Sequence, residues 1–169
     1  MHDRVKSIEL MRRRAGPGMS IVGWIEGPLA LAAELRGLNT IMLDFVDDPA
    51  FAHDLLAYTA DVAIAYAPAQ IAAGADTIGM SDAAAGLIGP VLYEQFLWPQ
   101  QKRVLETLRR NHPDVLLRQH MCGRIDKLYP KMAELPVDIY EIDFPANLEL
   151  ARRKLGPTRT LAGNVSTIT

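Results

Sequence analysis

The stretch RQHMCGRI at residues 118–125 carries a histidine, His120, two positions ahead of Cys122, the only cysteine in the chain. In an extended strand, side chains two apart leave the backbone on the same side. An imidazole and a thiolate that converge in this way are both good ligands for a tetrahedral zinc ion. Such a site needs at least a third protein ligand, and there is no second cysteine to supply it. The same residues also read as a buried cysteine packed beside a hydrogen-bonded histidine. Residue type and spacing leave both readings open.

Acidic and amide groups recur at comparable places. Asp82 ends TIGMSD and precedes AAAG. A carboxylate there would orient a substrate or accept a proton, or it would cap the next turn. Asp143 stands at the end of YEID, with Glu141 on the same side of that segment. AGN at 162–164 closes another run: glycine lets a backbone approach a ligand, and Asn164 tolerates the turn. Glu26, Gly27 and Pro28 form a strand-to-helix turn whose N–H groups would bind an anion, or which is a plain tight turn. It has too few glycines for a Walker loop or a dinucleotide fingerprint. Trp24 and Trp98 read as core, and the basic run MRRRAGPG at 11–18 as a solvated helix end.

These groups need elements to hold them. Residues 3–14 have helical spacing and stop at GPG. A β-branched apolar run, 19–27, predicts a strand. Proline at 28 and glycine at 37 bracket a short helix. A long helix is expected over 47–76, capped by Asp47 or Asp48, ended near Gly74 and kinked at Pro68. Strands follow at 76–82, 114–121, 137–144 and 159–165, separated by a helix at 90–111 interrupted near Pro99 and by helices at 124–135 and 146–156. Strict alternation implies βα units and a parallel sheet, whose C-terminal strand ends carry the chemistry. Five units are too few to close an eight-stranded barrel. Periodicity leaves an open sheet and a piece of a barrel equally available.

Composition narrows the functional classes. With 49% apolar and 22% charged residues the chain is globular, and 169 residues make one domain, 1–169, with a real core. A net charge of −2 offers no basic excess for nucleic acid. One cysteine forms no disulfide framework, and the first residues do not make a signal peptide. The long apolar stretch 50–75 contains His53, Asp54 and Asp61, against a membrane span. The expectation is a soluble, cytoplasmic protein.

Several of these segments together resemble the uroporphyrinogen decarboxylase superfamily. IEGPLALAAELRG is similar to its G-P-F/W-T-L-A stretch. AAGADTIGMSDAAAGLIGPVLYEQFLWPQQKRV resembles its next strand and helix, with the aspartate and a P-x-x-x-x-F-x-x-P pattern. EIDFPANLELARRKLGPTRTLAGNV matches its later D-…-G-N segment. The resemblance covers nearly all of residues 20–165. It implies an α/β fold, a partial TIM (β/α)8 barrel of about five consecutive units, strands 3–7 of the family barrel, with sheet edges and apolar surfaces left open.

The superfamily has two main branches, and HMCG at 120–123 matches the H-x-C-G pattern of the corrinoid-dependent methyltransferases. The resemblance implies zinc held by His120 and Cys122, with the branch's third ligand, a cysteine near the last strand, absent from this chain. Asp82 and Asp143 would be catalytic, and Gly27, Pro28 and Asn164 would bind substrate. The reaction would move a methyl group between a corrinoid, free or on a corrinoid protein, and a small thiol. Two other readings stand beside it. One is a metal-free decarboxylase acting on a tetrapyrrole, with Asp82 facing the pyrrole N–H groups. The other is a truncated chain or corrinoid-protein-binding remnant without turnover. Ala30 replaces the motif's usual threonine, and Ser166 stands where an aspartate is common. Association into oligomers is compatible with the open edges.

Overall fold

A computed structural model describes residues 2–166. Five strands, β1 (Val22–Glu26), β2 (Thr77–Ser81), β3 (Leu116–Met121), β4 (Ile139–Ile142) and β5 (Thr160–Gly163), form one sheet. All neighbours are parallel and the order is β1-β2-β3-β4-β5. That order decides what alternation left open. A doubly wound sheet reverses direction at a switch point. Here each strand is added beside the last, which is an arc of a (β/α) barrel.

The helices are α1 (His2–Ala15), α2 (Pro28–Arg36), α3 (Leu38–Asp47), α4 (Pro49–Ala72), α5 (Gly89–Leu92), α6 (Trp98–Asn111), α7 (Tyr129–Met132) and α8 (Leu148–Leu155). No helix among the described residues is long and apolar enough to cross a membrane. α4 starts as expected: the Asp48 carboxylate accepts from Phe51 N, and Pro49 occupies the first turn. It runs unbroken past Pro68. Its alanines 52, 60, 63 and 67 are buried, and their small size lets the helix lie close on its neighbours.

Three segments differ from the sequence expectation. Residues 38–47, which lie between the expected short helix and the expected long one and take in the latter's first position, form α3. It buries Ile41, Asp44 and Phe45 at helical spacing, and Arg36 holds Asp44 at 2.9 Å. Residues 124–135, expected as a helix, contain only a 3-10 turn at Asp126–Leu128 and the single turn α7. Pro130 fixes the start of α7 and Pro136 forbids a longer run. The expected interruption near Pro99 lies just before it, as a π-turn over Tyr93–Leu97. Trp98 N bonds Tyr93 O, five residues back, and Pro99 has no N–H to restore the usual ladder.

The helices cover one face of the sheet only. Ile25, Ile78, Met80, Leu117, Met121, Tyr140 and Ile142 point into that layer and are buried. The alternate residues point to the open face, where Val22, Trp24 and Leu116 are exposed. β2 is buried throughout, because the Trp24 ring lies over Gly79 and closes the open face above it. The expectation that Trp24 belongs to the core is corrected: its indole is part of the open face. Trp98 is half-buried, between Lys102 and Lys131, and donates to Lys131 O.

Arginines bind the N-terminal rim together. Arg12 reaches Gly74 O at 2.9 Å, Gly16 O, Met19 O and the Asp76 carboxylate. Arg109 does the same two units on, bonding Pro113 O, Val115 O, Pro136 O and Asp138, which also accepts from Leu117 N. Within RRR the middle-distance role of Arg12 therefore replaces the expected solvated helix end, while Arg13 and Arg14 stay exposed.

Candidate functional site

β3 ends at Met121, and the strand's alternation continues through Cys122. His120 Nε2 and Cys122 Sγ lie 3.1 Å apart at the C-terminal end of the strand. The parity argument for convergence therefore holds in three dimensions. In the neighbouring strand, His120 is in register with Glu141. His120 Nδ1 lies 3.4 Å from Glu141 Oε2, without the alignment of a hydrogen bond. Glu141 is anchored by an ion pair with Arg118. Arg118 is two residues before His120 on the same face, the spacing by which sequence reasoning could have found it.

Asp143 follows β4 and is fixed by the loops on either side. Its carboxylate accepts from Gly123 N at 2.7 Å and from Phe144 N at 2.8 Å. This ties the turn after Cys122 to the turn after β4. Asn164 donates to three carbonyls of that same turn, Asp143 O, Phe144 O and Ala146 O. Trp24, His120, Glu141, Asp143, Phe144 and Asn164 line one cavity of about 360 Å³ on the open face.

Burial sets the protonation of the pair. Desolvation lowers the His120 pKa, with Arg118 adding to the effect and Asp143 opposing it, so at neutral pH the ring is uncharged and keeps a lone pair. Desolvation, and then the Asp143 charge, raise the Cys122 thiol, so it holds its proton. Gly86 lies against the Cys122 carbonyl closely enough that a Cβ would stand 2.5 Å from that oxygen. The Ala-Gly loop after β2 thus backs the turn that carries the thiol.

Asp82 does not share this face. It has the parity of Ile78 and Met80, and its side chain is wholly enclosed between the sheet and the helices. Oδ1 accepts from Ala30 N and Oδ2 from Gln101 Nε2, both at 2.8 Å, and Leu29 N adds a third bond. Gln101 in turn accepts from Tyr93. Burial pushes the Asp82 pKa up to about 7, against the pull of Gln101 and the two amides. The expected anion site at Gly27 and Pro28 is thereby occupied from within. The N–H groups at the start of α2 hold Asp82's own carboxylate, Gly27 N bonds Ser81 O, and Pro28 is buried. The backbone N–H of Asp82 bonds His120 O, a direct link from this cluster to the pair.

The residues fit a zinc ion as two of its ligands. An uncharged imidazole nitrogen and a thiol face each other, and a carboxylate stands behind the other ring nitrogen, the arrangement common around metal-bound histidine. Among the described residues no group of three or more His, Cys, Asp or Glu side chains is placed to hold a metal ion.

A parallel arc added strand by strand, with its polar groups gathered at the C-terminal strand ends, defines a partial (β/α)-barrel domain. The chain belongs to the uroporphyrinogen decarboxylase (URO-D) family, whose model matches residues 2–169. Similar proteins include a uroporphyrinogen decarboxylase from Nostoc sp., 30% identical over 94% of this chain and 47% of its own length. They also include the methylcobamide:CoM methyltransferase MtaA of Methanosarcina barkeri, 28% identical over 96% of this chain and 47% of its own. The chain spans about half the length of the curated relatives it matches. Among solved structures, a methyltransferase from Methanosarcina mazei superposes with a TM-score of 0.88 at 24% identity, over 98% of this chain and 49% of that one. A B12-independent methionine synthase from Shewanella sp. superposes at 0.65 with 17% identity, covering 89% and 46%. These two likenesses concern the fold.

Proposed function

We propose that the chain carries the zinc-binding part of a methyltransferase of this family, one that moves a methyl group between a corrinoid and a small thiol. The observation that supports it is the facing of His120 Nε2 and Cys122 Sγ across 3.1 Å at the strand ends. His120 and Cys122 would hold the ion, with further ligation from outside the described residues. When bound, zinc would supply a Lewis acid that lowers the pKa of a ligating thiol.

The chain's own groups prepare that binding. Glu141, held by Arg118, stands behind Nδ1, which favours the tautomer with its proton there and its lone pair on Nε2. Asp143 fixes the backbone around Cys122 through Gly123 N; its negative charge would attract a cation, while it opposes loss of the thiol proton in the cation's absence. Trp24 and Phe144 give the cavity an apolar wall. Asp82 would act at one remove, through its backbone bond to His120 and its hold on α2.

The runner-up is a uroporphyrinogen decarboxylase. It is favoured by the decarboxylases among the relatives at 30 and 31% identity. It requires no metal, and the pair would then be a packed thiol and imidazole. A form without turnover is the third reading.

Zinc content of the full-length parent, with Cys122→Ala alongside, separates them. About one zinc per chain, lost on substitution, supports the methyl-transfer reading and leads to thiol and methylcobalamin assays. No zinc in either form removes it and leads to porphyrinogen substrates.

A further inference from the structure

A second cavity, of about 600 Å³, opens at the C-terminal rim and shares no lining residue with the one beside His120. Its walls come from the loops after three strands: Gly86 and Leu87 after β2, Arg124 and Leu128 after β3, Pro145 and Asn147 after β4. These are the central strands of the arc, so neither outer strand shapes the cleft. Phe144 lines the first cavity and Pro145 the second, so the two lie on opposite sides of one turn.

The charged groups of the cleft are Arg124, Asp126 and Lys127. The acid is turned into the wall: Oδ1 accepts from Asn147 N at 2.8 Å, and Oδ2 is enclosed. Arg124 and Lys127 are exposed, and among the described residues no carboxylate pairs with either. Arg12, Arg36, Arg103 and Arg109, by contrast, each hold an aspartate. Asn147 Oδ1 accepts from Leu150 N, which leaves the Nδ2 group to donate. Leu87, Leu128 and Pro145 add an apolar wall. Two uncompensated cations and an amide donor beside apolar surface match an apolar body that ends in an oxyanion, whose paired oxygens suit the guanidinium fork. The volume is that of a small-molecule site.

We propose that this rim cleft is a second ligand site, which binds a small organic oxyanion, a carboxylate or a phosphate monoester, through Arg124 and Lys127. It stands apart from the metal reading, since none of its residues is a proposed zinc ligand. The two places are nonetheless joined. Gly86 lines the cleft and lies against the Cys122 carbonyl, and Asp143 clamps Gly123, the residue between Cys122 and Arg124. A ligand seated in the cleft bears on the turn that carries the thiol.

The test is equilibrium dialysis of the full-length parent against three probes of similar bulk: phenyl phosphate, benzoate and benzyl alcohol. At least one anion should bind about tenfold more tightly than the neutral alcohol, and less tightly as salt rises. The tighter of the two tells a phosphate ligand from a carboxylate. Arg124→Gln and Lys127→Gln should each weaken it about fivefold, the loss of one charge-assisted contact. Both positions are exposed and unpaired, so these variants should melt with the wild type. Arg110→Gln, at the far end of α6, should bind as the wild type does. So should Cys122→Ala, whether or not the parent holds zinc, which keeps this result separate from that of the zinc measurement. Equal binding in the wild type and the Arg124→Gln/Lys127→Gln double variant overturns the proposal, as does failure of both anions to bind at about 10 mM. Preference for the alcohol, or loss of binding in Cys122→Ala, does so too, because the probe would then occupy an apolar surface or the metal.

Discussion

Gly27 and Asp82 occupy one another's space: a Cβ on Gly27 would overlap the Asp82 carboxylate. The φ of Gly27 is −72°, an ordinary value for any residue. What requires glycine here is therefore the approach of a buried acid to the start of α2, and not the backbone angle. Gly27→Ala should lower stability by about 1–3 kcal/mol, the usual cost of overpacking a filled interior. Urea midpoints read it. Gly18→Ala, where a Cβ meets nothing within 4 Å, is the control and should leave the midpoint in place.

Asp82 should give the chain an inverted acid response. Its folded pKa is about 7, above the ordinary carboxylate value. Below pH 4 it is protonated in both states and contributes no slope. From about pH 4 to 7 the unfolded chain loses this proton first, so stability falls as pH rises, at about 1.4 kcal/mol per unit for one proton. Asp82→Asn removes that slope. The variant's deficit against the wild type should be largest near pH 4 and smallest near pH 8 in thermal melts. An equal deficit at both ends would rule out this titration.

Zinc uptake should rise with pH. The lowered His120 pKa leaves the ring ready at neutral pH, while the raised Cys122 pKa means that its proton is displaced on binding. Titration of the full-length parent in weak buffer should release protons with the metal, and affinity should increase from pH 6 to 8. Cys122→Ser should weaken binding and flatten that dependence. Proton release equal in Cys122→Ser and wild type would place the displaced proton elsewhere.

Glu141→Gln is expected to act through His120. It removes the charge behind Nδ1 and leaves Arg118 without its partner. Zinc affinity should fall about tenfold or more, as at other sites that lose a carboxylate behind a metal-bound histidine. The His120 ring resonances should show a changed tautomer balance, which a loss of packing would not produce.

Arg109→Ala should destabilise the chain by about 1–3 kcal/mol, because it frees Asp138 and the carbonyls of Pro113, Val115 and Pro136 at one stroke. Arg110→Ala, at an exposed neighbour that bonds Thr107 in its own helix, should shift the chemical-denaturation midpoint little.

Much of the arrangement was legible in the residues. Strand alternation put His120 beside Cys122 and Glu141 beside Asp143, because a two-residue period is fixed by the pleat whatever the tertiary context. Proline and aspartate at 48–49 and glycine at 37 marked helix ends through backbone chemistry that acts locally. The two short turns within 124–135 imitate one helix in the sequence, because apolar residues buried from a loop fall at helical spacing.

The sequence by itself determined most of the local elements, α3 and the turns within 124–135 excepted, together with the parallel βα order and the convergence of the His-x-Cys pair, since each depends on neighbours a few residues apart. The tertiary structure alone decided three things. It set the strand order, which periodicity left open and which makes the arc that the family resemblance implied instead of a doubly wound sheet. It turned Asp82 to the helix side, which TIGMS could not announce because a strand buried on both faces shows no alternation. It also gave Arg12 and Gln70 their partners, 64 and 46 residues away. Contacts over such distances are fixed by how the layers pack, and no spacing along the chain encodes them.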